Sequence, residues 1–171
     1  MRALIVGGGC RGLDLARELT AGGHAVRIVT RTEAGREAIE AAGAECWVGT
    51  PDVIGTLRYA LDNVTLLLWL LGTASGRRDE IAALHGPRLR MMLEKTTDTT
   101  VRGVVYEAAG AVPEDILAAG VAEMRHAQET NEIPFALLHR DPRGPREAWL
   151  AQARAAIETL LAGPRRLAAP V

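Results

Sequence analysis

Three glycines near the start of the chain have a spacing that suggests phosphate chemistry. Gly7, Gly9 and Gly12 stand at G-x-G-x-x-G spacing, after an apolar run at 3–6 and before an amphipathic, helix-like segment. In such a loop the first glycine makes the turn out of the strand, the second lets the backbone approach a pyrophosphate, and the third lets the helix pack closely. The helix N-terminus then presents free N–H groups to the phosphates. The sequence therefore predicts a dinucleotide-binding loop.

Two further residues of this loop have chemically active side chains. Arg11 is able either to reach a phosphate or to lie exposed at a helix start. Cys10 stands at a helix N-terminus, which can lower the pKa of a thiol, but no base is visible nearby in the sequence, which favours packing over nucleophilic chemistry. We include both among the expected cofactor contacts. Cys10 and Cys46 lack metal-ligand spacing and form no disulfide framework, so no metal site is expected.

The end of the second predicted strand indicates which dinucleotide the loop would take. A site for NAD usually has an acidic residue about 20 residues beyond the glycines. Here Arg31 and Thr32 occupy that position, with Arg36 one turn later. A guanidinium can bind a 2′-phosphate that a carboxylate would repel. The sequence thus favours NADP(H) over NAD(H); the alternative is a solvent-exposed arginine at a strand end.

Strand and helix patterns alternate along the chain, which positions the glycine loop at one edge of a sheet. This alternation predicts an α/β fold, a doubly wound parallel six-stranded Rossmann sheet of order 3-2-1-4-5-6 in three α/β/α layers. We expect this domain to span 1–163 and a flexible tail to span 164–171. Strands are predicted at 3–6, 25–30, 46–48, 65–71, 101–106 and 135–139, and helices at 11–21, 33–42, 53–61, about 79–95, 114–130 and 145–161.

Composition and charge argue against several classes of protein. The 171 residues are 48% hydrophobic and 24% charged, with a net charge of −1. This balance gives no field that would attract nucleic acid or a membrane surface. The apolar stretch at 64–71 is too short to span a bilayer, and the first strand begins too early for a signal peptide. We expect a cytoplasmic protein with no nucleic-acid or membrane partner.

Short motifs at the strand ends match those of one superfamily. They are Gly-His-Ala-Val-Arg at 23–27, Gly-Thr-Pro-Asp at 49–52 and Leu-Leu-His-Arg-Asp-Pro at 137–142. With these motifs the chain resembles the atypical and extended short-chain dehydrogenase/reductase families, including NmrA-like NADPH-binding proteins and sugar-nucleotide epimerases. The resemblance implies NADP(H) binding. It places the adenine near Thr50 and Pro51 and the nicotinamide half beside Leu71, Gly72 and Thr73.

The chain departs from that superfamily at the catalytic pair. Its oxidoreductases use Tyr-x-x-x-Lys after the fifth strand, but Lys95 is the only lysine here, and Met91 stands four residues before it. The family's two positions fall near Asp115 and Ala119, so the pair cannot exist in this sequence. Other acid–base candidates lie at the carboxyl ends of strands, where α/β sheets bind ligands, although a structural role is the alternative for each. They are Tyr106, Glu107 and His139.

Three functions remain compatible with the sequence. The first is an NADP(H)-binding protein without the usual pair, acting as a redox sensor or partner-binding protein. The second is an NADPH-dependent reductase or isomerase acting on an unknown small molecule, with Tyr106 or a water chain as the acid. The third is an interaction module that has lost its cofactor. We expect no separate substrate domain, and a homo-oligomer that completes the pocket at a subunit interface is a further alternative.

Overall fold

The computed structural model describes residues 1–163, and the predicted tail at 164–171 lies outside them. The strands are β1 (Arg2–Gly7), β2 (Ala25–Thr30), β3 (Glu45–Val48), β4 (Leu66–Leu70), β5 (Gly103–Glu107) and β6 (Phe135–Leu138). The helices are α1 (Gly9–Ala21), α2 (Arg36–Ala41), α3 (Arg78–His85), α4 (Pro87–Thr96), α5 (Glu114–Asn131) and α6 (Arg146–Ala162). No helix within residues 1–163 has the combined length and apolarity needed to cross a membrane.

The six strands form one parallel sheet in the order β3-β2-β1-β4-β5-β6. This confirms the predicted fold class. The register pairs Gly7 with Leu70 and Glu107 with Leu138, so the ends of β1, β4, β5 and β6 meet at one edge of the sheet. The glycine loop therefore lies beside the residues that follow β4.

Alternate residues of each strand face the two sides of the sheet, and both sides are buried. Ala3 and Ile5 pack on the side of α1 and α6, while Leu4 and Val6 pack on the side of α4 and α5. A parallel sheet needs such cover on both faces because its strands are apolar throughout. The same alternation makes Tyr106 and Glu107, which are neighbours in β5, point to opposite faces.

Two helix predictions were wrong. Residues 53–61 form two short 3₁₀ helices, Ile54–Leu57 and Tyr59–Leu61, rather than one α-helix. The Thr56 hydroxyl donates to the Val53 and Thr50 carbonyl groups, and such side-chain bonds compete with regular helix.

The predicted helix at about 79–95 is divided into α3 and α4 at Gly86. Pro87 has no N–H to continue the first helix, and it occupies the first turn of the second. The second predicted helix begins as a 3₁₀ turn at Glu33–Gly35 before α2. The remaining elements begin and end within two residues of their predicted bounds.

Candidate functional site

The glycine loop follows β1 directly and rests against the end of β4. Gly7, Gly8 and Gly9 have φ values of +84°, +83° and +47°. The Gly8 N–H donates to the Leu70 carbonyl oxygen at 2.6 Å. A Cβ at Gly7 would overlap that same oxygen, so only glycine allows this contact. The close fit fixes the loop at the carboxyl edge of the sheet.

The other two glycines of the motif differ in what surrounds them. A Cβ at Gly12 would lie 3.0 Å from the Gly7 carbonyl oxygen, whereas among residues 1–163 no atom lies within 4 Å of a Cβ at Gly9. α1 also begins without a side-chain cap from the described residues. Its first-turn N–H groups are therefore available to a ligand's oxygens, as in helix N-termini that bind phosphate.

A cavity of about 400 Å³ adjoins the loop on the side of β2. This volume is within the usual range for small-molecule sites, and its walls are largely apolar. Arg31 is the charged residue in the cavity lining. The lining residues are Gly7, Gly9, Leu13, Ile28, Val29, Thr30, Arg31, Gly35, Ala38 and Ile39.

Two arginines follow β2, and they differ in their partners. The Arg31 side chain is 64% exposed and has one long ion pair, 3.8 Å to Asp52. The Arg36 guanidinium instead bonds both Glu33 and Glu40. An exposed, long ion pair contributes little free energy, so Arg31 is free to turn toward an anion. Thr32 lies exposed beside it.

The segment after β3 forms a compact turn that faces Arg31. The Thr50 hydroxyl donates to the Asp52 carboxylate at 3.1 Å and accepts from the Asp52 N–H at 3.2 Å. Thr56 donates to the Thr50 carbonyl and accepts its N–H, and Pro51 is buried. The turn thus places a carboxylate next to the predicted 2′-phosphate position.

Arg11 ties the glycine loop to the loop between β6 and α6. Its guanidinium donates to the carbonyl oxygens of Pro142 and Gly144, both at 2.9 Å, and lies 3.6 Å from the Asp14 carboxylate. Cys10 beside it is exposed, so the packing role that the sequence favoured is wrong. The arginine therefore has structural partners in this structure.

The loops after β4, β5 and β6 are bonded to one another. Val112 N–H donates to the Gly72 carbonyl at 3.0 Å, and Arg143 donates to the Gly110 carbonyl at 3.1 Å. A Cβ at Gly72 would overlap the Ala109 carbonyl, so the loops touch through backbone. Gly72 is buried by this contact, while Thr73 next to it is exposed.

Glu107 is fully buried at the end of β5. Its carboxylate accepts the Gly72 N–H at 2.8 Å and the Trp149 indole N–H at 3.1 Å. Burial raises the pKa of Glu107 to about 7, against the lowering effect of these two hydrogen bonds, and the Asp141 carboxylate adds to the rise. Both carboxylate oxygens are engaged, so the group holds structure rather than facing a substrate.

Tyr106 forms a second buried pair, on the opposite face. Its hydroxyl lies 2.6 Å from His85 Nδ1, and His85 Nε2 lies 3.2 Å from the Leu71 carbonyl oxygen. Burial lowers the pKa of His85 to about 4, so the ring is neutral. The Tyr106 hydroxyl donates to the Leu117 carbonyl oxygen at 3.2 Å, and the direction of its bond with His85 Nδ1 depends on the imidazole tautomer. Burial also raises the pKa of Tyr106.

The three catalytic candidates are not brought together. Tyr106 and Glu107 are buried on opposite faces, and His139 is exposed after β6. Sequence reasoning missed Trp149 as the partner of Glu107; a glutamate directly after an apolar run was the available signal, because a buried carboxylate needs donors. Within residues 1–163, no group of three or more His, Cys, Asp or Glu is placed to hold a metal ion.

A scan of protein-family models found no match, and neither did a search of curated proteins. Solved structures do match. UDP-glucuronic acid 4-epimerase from Bacillus cereus, in complex with NAD, has a TM-score of 0.64 and 12% identity over 82% of this chain and 57% of its own. The Bordetella bronchiseptica enzyme WbmG, in complex with NAD, has a TM-score of 0.62 and 20% identity over 80% of this chain and 52% of its own.

Triphenylmethane reductase from Citrobacter sp., complexed with NADP(H), has a TM-score of 0.59 and 19% identity, over 81% of this chain and 48% of its own. This chain therefore spans about half the length of these three structures. At such identities the similarity shows the fold, which agrees with the Rossmann sheet described above.

Proposed function

We propose that this protein binds a nicotinamide dinucleotide at the glycine loop and prefers NADP(H). The observation that carries the proposal is the open space in front of Gly9, which continues into the 400 Å³ cavity with Arg31 in its lining. Gly7 and Gly12 are required by contacts within the protein. Gly9 meets no such contact and lines the cavity, so this side of the loop is open to a ligand.

The arrangement supports one orientation for the dinucleotide. The pyrophosphate would accept N–H bonds from the first turn of α1, where the helix dipole favours negative charge. The adenosine half would enter the apolar cavity between α1, β2 and α2. Its 2′-phosphate would then meet Arg31, whose guanidinium suits bidentate binding of phosphate. The structural neighbours were solved with NAD or NADP(H), which supports a dinucleotide ligand. The proposed preference for NADP(H) over NAD(H) rests on Arg31.

The proposed function does not include the usual dehydrogenase proton transfer. The single lysine, Lys95, is exposed on α4, and the Tyr106 hydroxyl is buried and bonded to His85. A tyrosine held in that way cannot give a proton to a substrate at the cavity. We therefore favour a protein that senses or delivers the cofactor over a reductase or isomerase.

The test is a binding titration with NADPH, NADP+, NADH and NAD+, followed by protein and nicotinamide fluorescence. We expect NADPH and NADP+ to bind at least about tenfold more tightly than NADH and NAD+, the effect of one charged hydrogen-bonding group. Equal binding of all four would remove the NADP(H) preference. No binding to folded protein would remove the proposed function.

A further inference from the structure

One peptide group at the end of β4 is held from both faces of the sheet by buried titratable side chains. The Leu71 carbonyl oxygen lies 3.2 Å from His85 Nε2, and the Gly72 N–H donates to Glu107 Oε2 at 2.8 Å. This carbonyl and this N–H belong to the same peptide group. The two bonds therefore fix the orientation of that peptide group between the side of the sheet that packs on α3 and the side that packs on α6.

Each of the two holding side chains is itself anchored. His85 Nδ1 is hydrogen-bonded to the Tyr106 hydroxyl at 2.6 Å, that hydroxyl donates to the Leu117 carbonyl at 3.2 Å, and Glu107 Oε1 accepts from the Trp149 indole at 3.1 Å. All four side chains are fully buried. Hydrogen bonds in such surroundings are strong, and a partner lost from them is costly.

The held peptide adjoins the glycine loop. Leu70, the residue before it, pairs with Gly7 across the strands and accepts the Gly8 N–H at 2.6 Å. A Leu71 methyl group lies where a Gly7 side chain would begin. A dinucleotide whose pyrophosphate lies at the loop would thus have this peptide as its neighbour.

We propose that His85 and Glu107 are positioning residues for the dinucleotide site, and that an anionic ligand at the glycine loop makes Glu107 take up a proton from solvent. This inference rests on the proposed function. The step is a simple protonation: one proton joins the carboxylate, no other bond changes, and water or buffer supplies the proton.

The electrostatic surroundings of Glu107 determine the direction of this linkage. The β6–α6 loop presents the Asp141 carboxylate, which is itself bound to Arg143; α6 presents the uncharged indole of Trp149. On the other face of the sheet, the neutral His85 and Tyr106 add no charge. A pyrophosphate would bring further negative charge, which favours the neutral form of a carboxyl group. Because the pKa of Glu107 is already about 7, a modest rise changes its protonation near neutral pH.

The first experiment needs no ligand. The ¹⁵N amide shift of Gly72 is followed from pH 5 to 9 in the wild-type protein, in Glu107→Gln and in Glu80→Gln. Glu80→Gln is the control, because it removes an exposed carboxylate from the same segment between β4 and β5. We expect the Gly72 signal to titrate in the wild type and in Glu80→Gln but not in Glu107→Gln. A Gly72 signal independent of pH in the wild type, or unchanged in Glu107→Gln, would overturn the positioning role.

The second experiment uses the wild-type protein alone, so that folding of a variant does not limit it. The ¹³C carboxyl signal of Glu107 is titrated without ligand and with saturating NADH, whose lack of a 2′-phosphate removes that group's own titration. We expect the midpoint to rise by about 0.5 pH unit or more on binding. An unchanged or lower midpoint would overturn the linkage.

The two failures are distinguishable. If folded protein binds no dinucleotide, including NADPH and NADH, the proposed function, the positioning role and the linkage are all contradicted, and the Gly72 titration then reports only whether Glu107 holds the Gly72 N–H. If dinucleotides bind and the Glu107 midpoint does not rise, only the linkage falls. Calorimetry in two buffers of different ionisation enthalpy provides a check: wild-type protein should take up more protons per NADH than Glu107→Gln does.

Discussion

The two halves of the sheet's carboxyl edge are built in opposite ways. In the open half, at β1 and β2, the space before Gly9 is open and Arg31 is exposed with one long ion pair. In the sealed half, at β4 and β5, the side chains of His85, Tyr106 and Glu107 are fully buried and hydrogen-bonded to neighbouring groups. A sealed polar region must satisfy its own hydrogen bonds, whereas an open one leaves donors for a ligand. The proposed ligand site thus lies in the open half, and the second half is rigid.

Breaking the sealed half should give the largest effect. A Cβ at Gly120 would overlap the Tyr106 hydroxyl, so Gly120→Ala should lower the free energy of unfolding by about 3 kcal/mol through overpacking. Gly55→Ala is the matched control, because none of the described atoms lies within 4 Å of its Cβ position; its effect should stay below about 1 kcal/mol. Urea unfolding measures both. Equal losses in the two variants would contradict the close packing inferred at Tyr106.

The pH dependence of stability should separate the two buried titratable groups. The pKa of Glu107 is raised from 4.5 to about 7, so its contribution to stability is present below pH 4.5 and is lost as pH rises to 7. The pKa of His85 is lowered from 6.5 to about 4, so its contribution is present above pH 6.5 and is lost as pH falls to 4. Each contribution amounts to about 3 kcal/mol, and the two oppose each other between pH 4.5 and 6.5.

Removing one group should therefore expose the other. Glu107→Gln should become more stable as pH rises from 4.5 to 6.5, and His85→Gln should become less stable over the same range. Urea unfolding at four pH values, with the wild-type protein as reference, measures both slopes. Parallel slopes in the two variants would show that the two groups do not titrate as their burial implies.

In the open half, the two arginines after β2 provide a matched pair for ligand binding. Arg31→Ala should weaken NADPH binding by about 2 kcal/mol, or roughly thirtyfold, because a charge-assisted contact to the 2′-phosphate is lost. Arg36→Ala should change it little, since that guanidinium is bonded to Glu33 and Glu40. Fluorescence titration with NADPH and NADH compares them. A similar loss of affinity for NADH in Arg31→Ala would show that the arginine does not recognise the 2′-phosphate.

The smallest expected effect concerns Asp52. Its carboxylate lies 3.8 Å from Arg31 and would face a bound 2′-phosphate. Asp52→Asn should strengthen NADPH binding by about 0.5 kcal/mol, the usual size of an exposed charge interaction, and leave NADH unchanged. The same titration at low and at high salt checks this result, because screening should reduce the gain. Weaker NADPH binding in this variant would mean that the carboxylate contacts the nucleotide favourably.

How far the sequence predicts each half follows from how local its interactions are. The glycine motif at 7–12 spans the end of β1 and the start of α1, and the position of the loop was predicted from these six consecutive residues. Arg31 was likewise placed by its position at the end of β2. The sheet order was also predictable, because strand–helix alternation leaves few topologies.

The sealed half depends on contacts between distant residues, which no local pattern reveals. Glu107 meets Trp149 across 42 residues and Gly72 across 35. Its place at a strand end was predicted correctly, yet its burial follows from the packing of α6 and of the loop at 108–112. The helix predicted at 53–61 was wrong for a different, local reason, since the Thr56 hydroxyl bonds the carbonyl groups of Val53 and Thr50 where a regular helix would have backbone hydrogen bonds.

The bonds of Arg11 have a consequence for synthesis. Its partners, Pro142 and Gly144, follow it by 131 and 133 residues. At about 5–20 residues per second, a ribosome needs roughly 7–26 s to make that stretch. Throughout this interval the nascent glycine loop lacks the carbonyl groups that tether it. The glycine loop is therefore tethered only after the loop between β6 and α6 has been made.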